Sequence, residues 1–279
     1  MAGEKRKIGI IGFGNMGGSI AACASAAFEV SVFDKDCGKT DKTAGLNIRS
    51  SAEDLVSGSE AILLAVKPQD FDSLLVSIRP LAGDKLVISI AAGITTGYIE
   101  SALGGARVVR AMPNMGARVS AAQTGLSKGR YARQEDLDFA KELFGLLGQV
   151  WVFEESLLDA VTAISGSGPA YVFYDMEKKG LSPESVTVEF KNEYVQRLKQ
   201  AGMEVGFDSK TALELAAGTV SSSIRLLSQT GLSPAELRRM VTSPKGTTEA
   251  ALNVLSANGS WSEAAVAAKK RAQELSKRG

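Results

Sequence analysis

The segment Lys7-Ile8-Gly9-Ile10-Ile11-Gly12-Phe13-Gly14-Asn15-Met16-Gly17 sets an apolar run directly against a glycine-spaced turn, followed by a helical pattern. Few folds accommodate that junction. A G-x-G-x-x-G turn between strand and helix points the helix's first N–H groups at whatever lies beyond, and is the dinucleotide-binding fingerprint of a βαβ unit. In this reading Gly12 makes the tight turn, Gly14 admits a pyrophosphate to the backbone, and Gly17 allows close packing of helix on sheet. Phe13, Asn15 and Met16 complete the expected cofactor loop.

The first half of the chain repeats the unit. Residues 8–11, 30–33, 61–66, 86–90 and 108–112 are apolar runs without polar alternation, as strands buried on both faces are. Between them, 16–27, 52–57, 70–78 and 96–103 have helical length and composition. Such alternation predicts a parallel, doubly wound sheet with right-handed crossovers. A strand near 124–126, a helix over 134–147 and a strand over 149–152 complete an expected Rossmann-type domain spanning 1–160.

From about Leu157 the strand signals largely stop. Leu213, Ala216, Val220, Ile224 and Leu227 recur at three and four, predicting the face of one long buried helix. Gly231-Leu232-Ser233-Pro234, Ser243-Pro244 and Ser260-Trp261-Ser262 each read as the start of a further helix. The expected fold is therefore α/β, with an all-helical domain over 161–279. Residues 181–200 leave two readings open, because 185–191 alternate at strand period while 194–205 suit a helix. The basic stretch 269–278 reads as a solvated helix end.

Histidine is absent, which removes the usual general acid/base and the commonest metal ligand. Chemistry then falls to a cofactor, to carboxylates, lysines or tyrosines, or to positioning. Two cysteines, Cys23 and Cys37, suffice for neither a disulfide framework nor a metal site, so no metal is expected and a cytoplasmic location is. The charge balance of 32 basic against 31 acidic side chains gives no footprint for nucleic acid or anionic membrane, leaving a small molecule as the expected partner. The basic start is followed by an apolar stretch that the glycine turn interrupts, so it does not read as a signal peptide, and no apolar run is long enough to span a membrane.

Several residues at the carboxyl ends of the predicted strands fall where open α/β sheets bind ligands. Asp34 closes the second strand, where a carboxylate accepts ribose hydroxyls and repels a 2′-phosphate. That tips the choice within NAD(P)H toward NADH, while Lys35, able to pair with a phosphate, reduces the preference. Ala65-Val66-Lys67-Pro68, Ile90-Ala91-Ala92 and Asn114 would flank the cofactor after later strands. Asn114 also fits an ordinary turn, and Lys67 a surface charge. The small residues of Ser165-Gly166-Ser167-Gly168-Pro169-Ala170-Tyr171 suit either a hinge or a close approach of backbones. Further on, Ser243 can cap a helix, Pro244 suits its first position, and Gly246-Thr247-Thr248 would direct N–H groups and hydroxyls outward. That end is either a plain cap or a site for an anion such as a carboxylate.

The run Ala163-Ile164-Ser165-Gly166-Ser167-Gly168-Pro169-Ala170-Tyr171-Val172-Phe173, the Met112-Pro113-Asn114 turn and the segment 234–255 together resemble the pyrroline-5-carboxylate reductases, last enzymes of proline biosynthesis. The resemblance implies hydride transfer from NAD(P)H to the imine carbon of 1-pyrroline-5-carboxylate, giving L-proline. It places the substrate carboxylate at Ser243, Gly246 and Thr247, and the ring nitrogen at Thr248, the expected catalytic contact. Glu155 aligns with a carboxylate that the family brings near substrate, though it also suits a helix start as an acid favoured by the dipole. It further implies homodimers or larger rings built through the C-terminal helices, each active site shared between the sheet domain of one chain and the helical domain of another.

Four departures stand out. Lys245 replaces a glycine of the usual Ser-Pro-Gly-Gly, Met115-Gly116 replaces Thr-Pro, roughly twenty further residues within 178–200 interrupt one helix, and Asp34 replaces an uncharged residue. Lys245 would either face solvent or add charge beside the substrate carboxylate. Two alternatives follow: a reductase of another cyclic imine or keto acid, and a non-catalytic nucleotide-sensing or scaffold protein. A β-hydroxyacid dehydrogenase fits less well, because Pro169-Ala170-Tyr171 stands where that class carries a catalytic lysine.

Overall fold

The apolar runs of the first half become parallel strands, as their two-faced burial requires. In the computed structural model, which describes residues 5–40 and 45–276, the strands are β1 (Lys7–Ile11), β2 (Glu29–Phe33), β3 (Asn47–Ile48), β4 (Ala61–Leu64), β5 (Leu86–Ser89), β6 (Arg107–Met112), β7 (Ala122–Lys128) and β8 (Gly148–Val152). Their order is β3-β2-β1-β4-β5-β6-β7-β8. Ile10 lies opposite Val32 on one side and Leu63 on the other, and Leu63 continues to Ile88 and Val109, all in parallel register. The chain leaves β1 toward β2, then returns to place β4 on the opposite edge of β1. Ligands of open α/β sheets bind at such a reversal. The two-residue β3 has no counterpart in the sequence reading, since Asn47 and Ile48 are exposed and carry no burial pattern.

Around these strands run α1 (Asn15–Ala24), α2 (Ala52–Ser57), α3 (Phe71–Ala82), α4 (Thr96–Leu103) and α5 (Gln134–Gly145). Local chemistry sets their ends. Ser51 Oγ accepts the Asp54 N–H at 3.1 Å to open α2, Thr95 Oγ1 accepts the Tyr98 N–H at 3.2 Å to open α4, and Gly104 at φ +76° ends α4. α3 runs past the expected end at residue 78, through Pro80 to Ala82, and buries Ala82 on the same face as Ile78.

The helical region comprises α6 (Leu158–Val161), a π turn over Thr162–Gly166, α7 (Gly168–Lys178), α8 (Val188–Glu204), α9 (Ser209–Thr230), α10 (Pro234–Val241), α11 (Thr247–Ser256) and α12 (Trp261–Ser276). The open stretch resolves as a short turn at Pro183–Ser185 followed by helix. Thr187 opens α8 by accepting the Phe190 N–H at 3.2 Å. Helix prevails over the strand period because Tyr194, Leu198, Ala201 and Gly202 then share one buried face. Tyr194 donates to Asp175, which also takes Lys179 at 2.8 Å and Arg197 at 3.4 Å, while Arg197 lies 4.3 Å from the centre of the Trp261 ring. These contacts tie α7, α8 and α12 together.

α9 is as long as its pattern predicts, and of its expected face Ala216, Val220 and Leu227 are buried and Ile224 half-buried. Leu213 departs from that face at 39% exposed, and Ala212, Leu215, Thr219, Ser222, Ser223 and Leu226 widen the buried stripe beside it. Small side chains let α8 approach closely: a Cβ on Gly202 would lie 3.1 Å from Ala212 Cβ. The small residues Ala212, Thr219, Ser222 and Ser223 on this face are what the expected pattern of bulky positions does not include.

Contacts divide the chain into two compact units, one holding the described residues up to Ala111 together with Leu126–Leu146, the other Met112–Gly125 together with 147–276. Residues 112–125 and 147–160, which the sequence reading places with the sheet in a domain 1–160, fall with the helices. Val119, Leu158 and Ala160 belong to the same apolar core as Tyr171, Leu198 and Trp261.

The role of α8 is open to a simple test. Leu198→Ala is expected to destabilise the protein by about 2–5 kcal/mol in urea unfolding, whereas Lys191→Ala on the exposed face changes stability by less than about 0.5 kcal/mol.

Candidate functional site

Three glycines build the loop after β1, and they do so for different reasons. Gly12 sits at φ +100°, and a Cβ there would lie 2.5 Å from the Ala65 carbonyl oxygen. A Cβ on Gly17 would collide with the Gly12 carbonyl oxygen. Gly14 is different: a Cβ there would meet nothing within 4 Å. Packing of the chain on itself explains Gly12 and Gly17 but gives no reason for Gly14, whose bareness leaves open space at the start of α1. That space suits a bulky anionic group approaching the backbone, so these residues fit a dinucleotide.

The loop borders a cleft of about 480 Å³ lined by Gly12, Gly14, Asp34, Lys35, Ala65, Val66 and Lys67 among the expected cofactor residues. Lys39, Ser51, Asp70 and Ser73 also line it, and the sequence reading does not single them out. Phe13, Asn15 and Met16 lie in the loop and first turn of α1. Pro68 opens a one-turn helix (Pro68–Asp70), and Ile90, Ala91 and Ala92 follow β5. Ser51 has a readable signal, being the cap of α2. Lys39 has none, because its place depends on how the loop after Asp34 closes.

Asp34 is committed to its own surroundings. Oδ2 accepts the Phe13 N–H at 2.7 Å, and Oδ1 accepts the Asp36 N–H at 2.9 Å and the Lys39 ammonium at 3.2 Å. Burial alone would raise its pKa, but the hydrogen bonds from Asp36, Phe13 and Lys39 outweigh it and hold the carboxyl below its ordinary value. Lys35 pairs with Asp70 at 2.7 Å.

In the helical unit, Asn114 is buried and its side chain serves the chain itself. Nδ2 donates to the Ser165 carbonyl at 3.0 Å, and Oδ1 accepts the N–H groups of Gly116 and Gln123, each at 3.1 Å. The carbonyl it holds belongs to the π turn, which the Ser167 N–H closes onto the Thr162 carbonyl at 2.8 Å. Single π turns are frequent at functional sites, because the extra residue redirects side chains.

Ser167 is wholly buried, and its hydroxyl meets two others. Thr248 Oγ1 donates to Ser167 Oγ at 3.1 Å, and Thr247 Oγ1 lies 3.2 Å from it. The sequence reading takes Ser167 only as a small residue. α11 begins at Thr247 rather than at Pro244, with Gly246 as its cap residue and no side chain capping it. Ser243 does not cap: it opens a turn in which the Gly246 N–H donates to the Ser243 carbonyl at 3.0 Å and Lys245 takes φ +58°. Proline at the second and positive φ at the third position of a turn is a type II pattern, which favours glycine where Lys245 stands. The Lys245 side chain is exposed, and its backbone is held by Glu249 Oε2 at 3.1 Å and Arg271 Nε at 2.9 Å. Ser243, Gly246, Thr247 and Thr248 are thus assembled with Ser167 at an uncapped helix start, a setting for a small anion and a hydrogen-bonding neighbour. Glu155 is the half-buried first residue of the one-turn helix Glu155–Leu157 that leads into α6. Among the described residues no helix is long and apolar enough to cross a membrane.

Comparison with known proteins identifies the family. A family model described as pyrroline-5-carboxylate reductase dimerisation matches residues 188–275, and one described as NADP oxidoreductase, coenzyme F420-dependent, matches residues 7–93. The pyrroline-5-carboxylate reductase of Methanosarcina acetivorans is 38% identical over 288 residues, covering 99% of this chain and 100% of that protein. That of Pisum sativum is 33% identical over 96% of each chain. The structure of a pyrroline-5-carboxylate reductase from Coxiella burnetii superposes with TM-score 0.66 at 30% identity, covering 98% of this chain and 99% of that one. The Plasmodium falciparum pyrroline carboxylate reductase, solved with NADP bound, gives TM-score 0.64 at 25% identity, with 98% and 99% covered.

The glycines separate packing from binding. Gly17→Ala should destabilise the fold by about 2 kcal/mol or more through its backbone collision. Gly14→Ala should leave the melting temperature unchanged while weakening dinucleotide binding about tenfold or more, as read by nicotinamide fluorescence titration.

Proposed function

The chain belongs to the pyrroline-5-carboxylate reductase family, and on that premise we propose that it reduces the imine of 1-pyrroline-5-carboxylate to L-proline at the expense of NAD(P)H. The observation that carries the assignment to particular residues is the Ser167-Thr247-Thr248 hydroxyl cluster at the uncapped start of α11. The loop from Gly12 to Gly17, open at Gly14, would hold the pyrophosphate of the dinucleotide, and the cleft bordered by Asp34, Lys35 and Val66 would take its adenosine end. The bound nicotinamide supplies a hydride to carbon.

The remaining work falls to positioning. The substrate carboxylate is assigned to Ser243, Gly246 and Thr247, where the helix start favours negative charge. Thr248 commits its only proton to Ser167, so its oxygen is left to accept from an N–H, as a protonated imine presents. A protonated imine is already electrophilic, and holding it in place is most of what catalysis requires. The absence of histidine is consistent with this chemistry. Glu155 is retained as a candidate near the substrate on the family resemblance. Since Lys245 is exposed and its backbone braced, nothing at that position favours a different substrate.

The match of the dimerisation model to 188–275, which spans α8 to α12, supports a homodimer or larger assembly through these helices.

Purified protein given pyrroline-5-carboxylate should oxidise NADPH or NADH; no turnover with either contradicts the assignment. Thr248→Val should lower kcat about 10- to 100-fold, the worth of one hydrogen bond to a charged group. Thr248→Ser should retain most of the rate, and neither variant should alter dinucleotide affinity.

A further inference from the structure

A choice between NADH and NADPH ordinarily turns on a free carboxylate at the end of the second strand, which binds ribose hydroxyls and repels a 2′-phosphate. The Asp34 carboxylate is not free. Its side chain is 7% exposed and, among the described residues, receives donors from Phe13, Asp36 and Lys39. A carboxylate offers about four acceptor positions, so little of this one remains for a sugar. Phe13 lies inside the glycine motif, which makes Asp34 a brace that fixes the loop against β2.

Among the described residues, the charge on that brace is met by one ammonium. Lys39 ends the one-turn helix Cys37–Lys39, reaches Asp34 at 3.2 Å and Asp36 at 3.8 Å, and lines the cleft. The other charged groups lining the cleft are Lys35, already paired with Asp70, together with Lys67 and Glu53. Lys39 is therefore the cation whose removal would expose the charge of Asp34 to a ligand.

We propose that Lys39 sets the dinucleotide specificity of this enzyme: by neutralising Asp34 it lets the cleft accept a 2′-phosphate, so that NADPH binds as well as NADH. Asp34 then acts as a positioning residue for the glycine loop and not as the acid that excludes NADPH. The inference rests on the reading that this cleft holds a nicotinamide dinucleotide.

The test is fluorescence titration of the full-length protein with NADPH and with NADH, without substrate and at fixed ionic strength. The wild type should bind the two within about tenfold of each other. The Lys39 side chain is 45% exposed, so screening limits the effect, and Lys39→Met should weaken NADPH about tenfold while changing NADH by less than about threefold. Lys39→Arg should restore NADPH binding. Asp34→Asn should weaken both dinucleotides together. An increase in NADPH affinity in Asp34→Asn, or an equal loss of both dinucleotides in Lys39→Met, would overturn the inference while leaving the cofactor cleft intact. Failure of the wild type to bind either dinucleotide would overturn the cleft reading and the inference with it.

Discussion

The backbone of Gly12 passes so close to that of Ala65 that no side chain fits between them, and the first unit is arranged around this contact. It fixes the turn after β1 against the end of β4, where the strand order reverses. The same turn lies beneath Gly17, which must also be bare for α1 to start where it does. Once the loop is held on both sides, Gly14 is left facing open space, and the Phe13 N–H is directed to Asp34. A binding cleft is thus a consequence of how tightly the chain packs beside it. Gly→Ala changes at neighbouring positions therefore have opposite meanings: one breaks the fold, the other only the site.

The helical unit reaches its own precision by a different route. Asn114 holds the Ser165 carbonyl of the π turn and the N–H groups of Gly116 and Gln123, and the turn sets Ser167 beneath the start of α11. Three hydroxyls then orient one another without any group that titrates near neutrality. Such a site provides direction more than acid strength. That suits an imine that arrives protonated and needs only to be aimed. Close packing of small residues, as between Gly202 and Ala212, supplies the rigidity that this positioning requires.

Much of this was legible in the sequence. The parallel sheet, the glycine loop and the helical second half follow from apolar runs, turn residues and caps, and the family resemblance is borne out by relatives that align end to end. What escaped were features that depend on three-dimensional closure. Ser243 looks like a cap because Pro244 follows it, yet Lys245 adopts positive φ and a turn intervenes before α11. Ser167 reads as a small residue in a glycine-rich run, and only the fold brings it to Thr248 across most of the helical unit. Asp34 reads as a ribose ligand from its place after a strand, while the Lys39 and Phe13 contacts that occupy it come from a loop with no periodic signal. Leu213 shows the same limit on a helix: hydrophobic bulk marks it as core, but close packing selects the small residues beside it.

The proposed reaction is hydride transfer from a nicotinamide dinucleotide to the imine carbon of 1-pyrroline-5-carboxylate. The most direct measurement uses NADPH or NADH deuterated at the transferring C4 position, with pyrroline-5-carboxylate, and locates the label by mass spectrometry and NMR. Proline carrying one deuterium on the ring carbon formerly doubly bonded to nitrogen is the expected product. Proline without deuterium, or dinucleotide oxidation without proline, would contradict the proposed reaction.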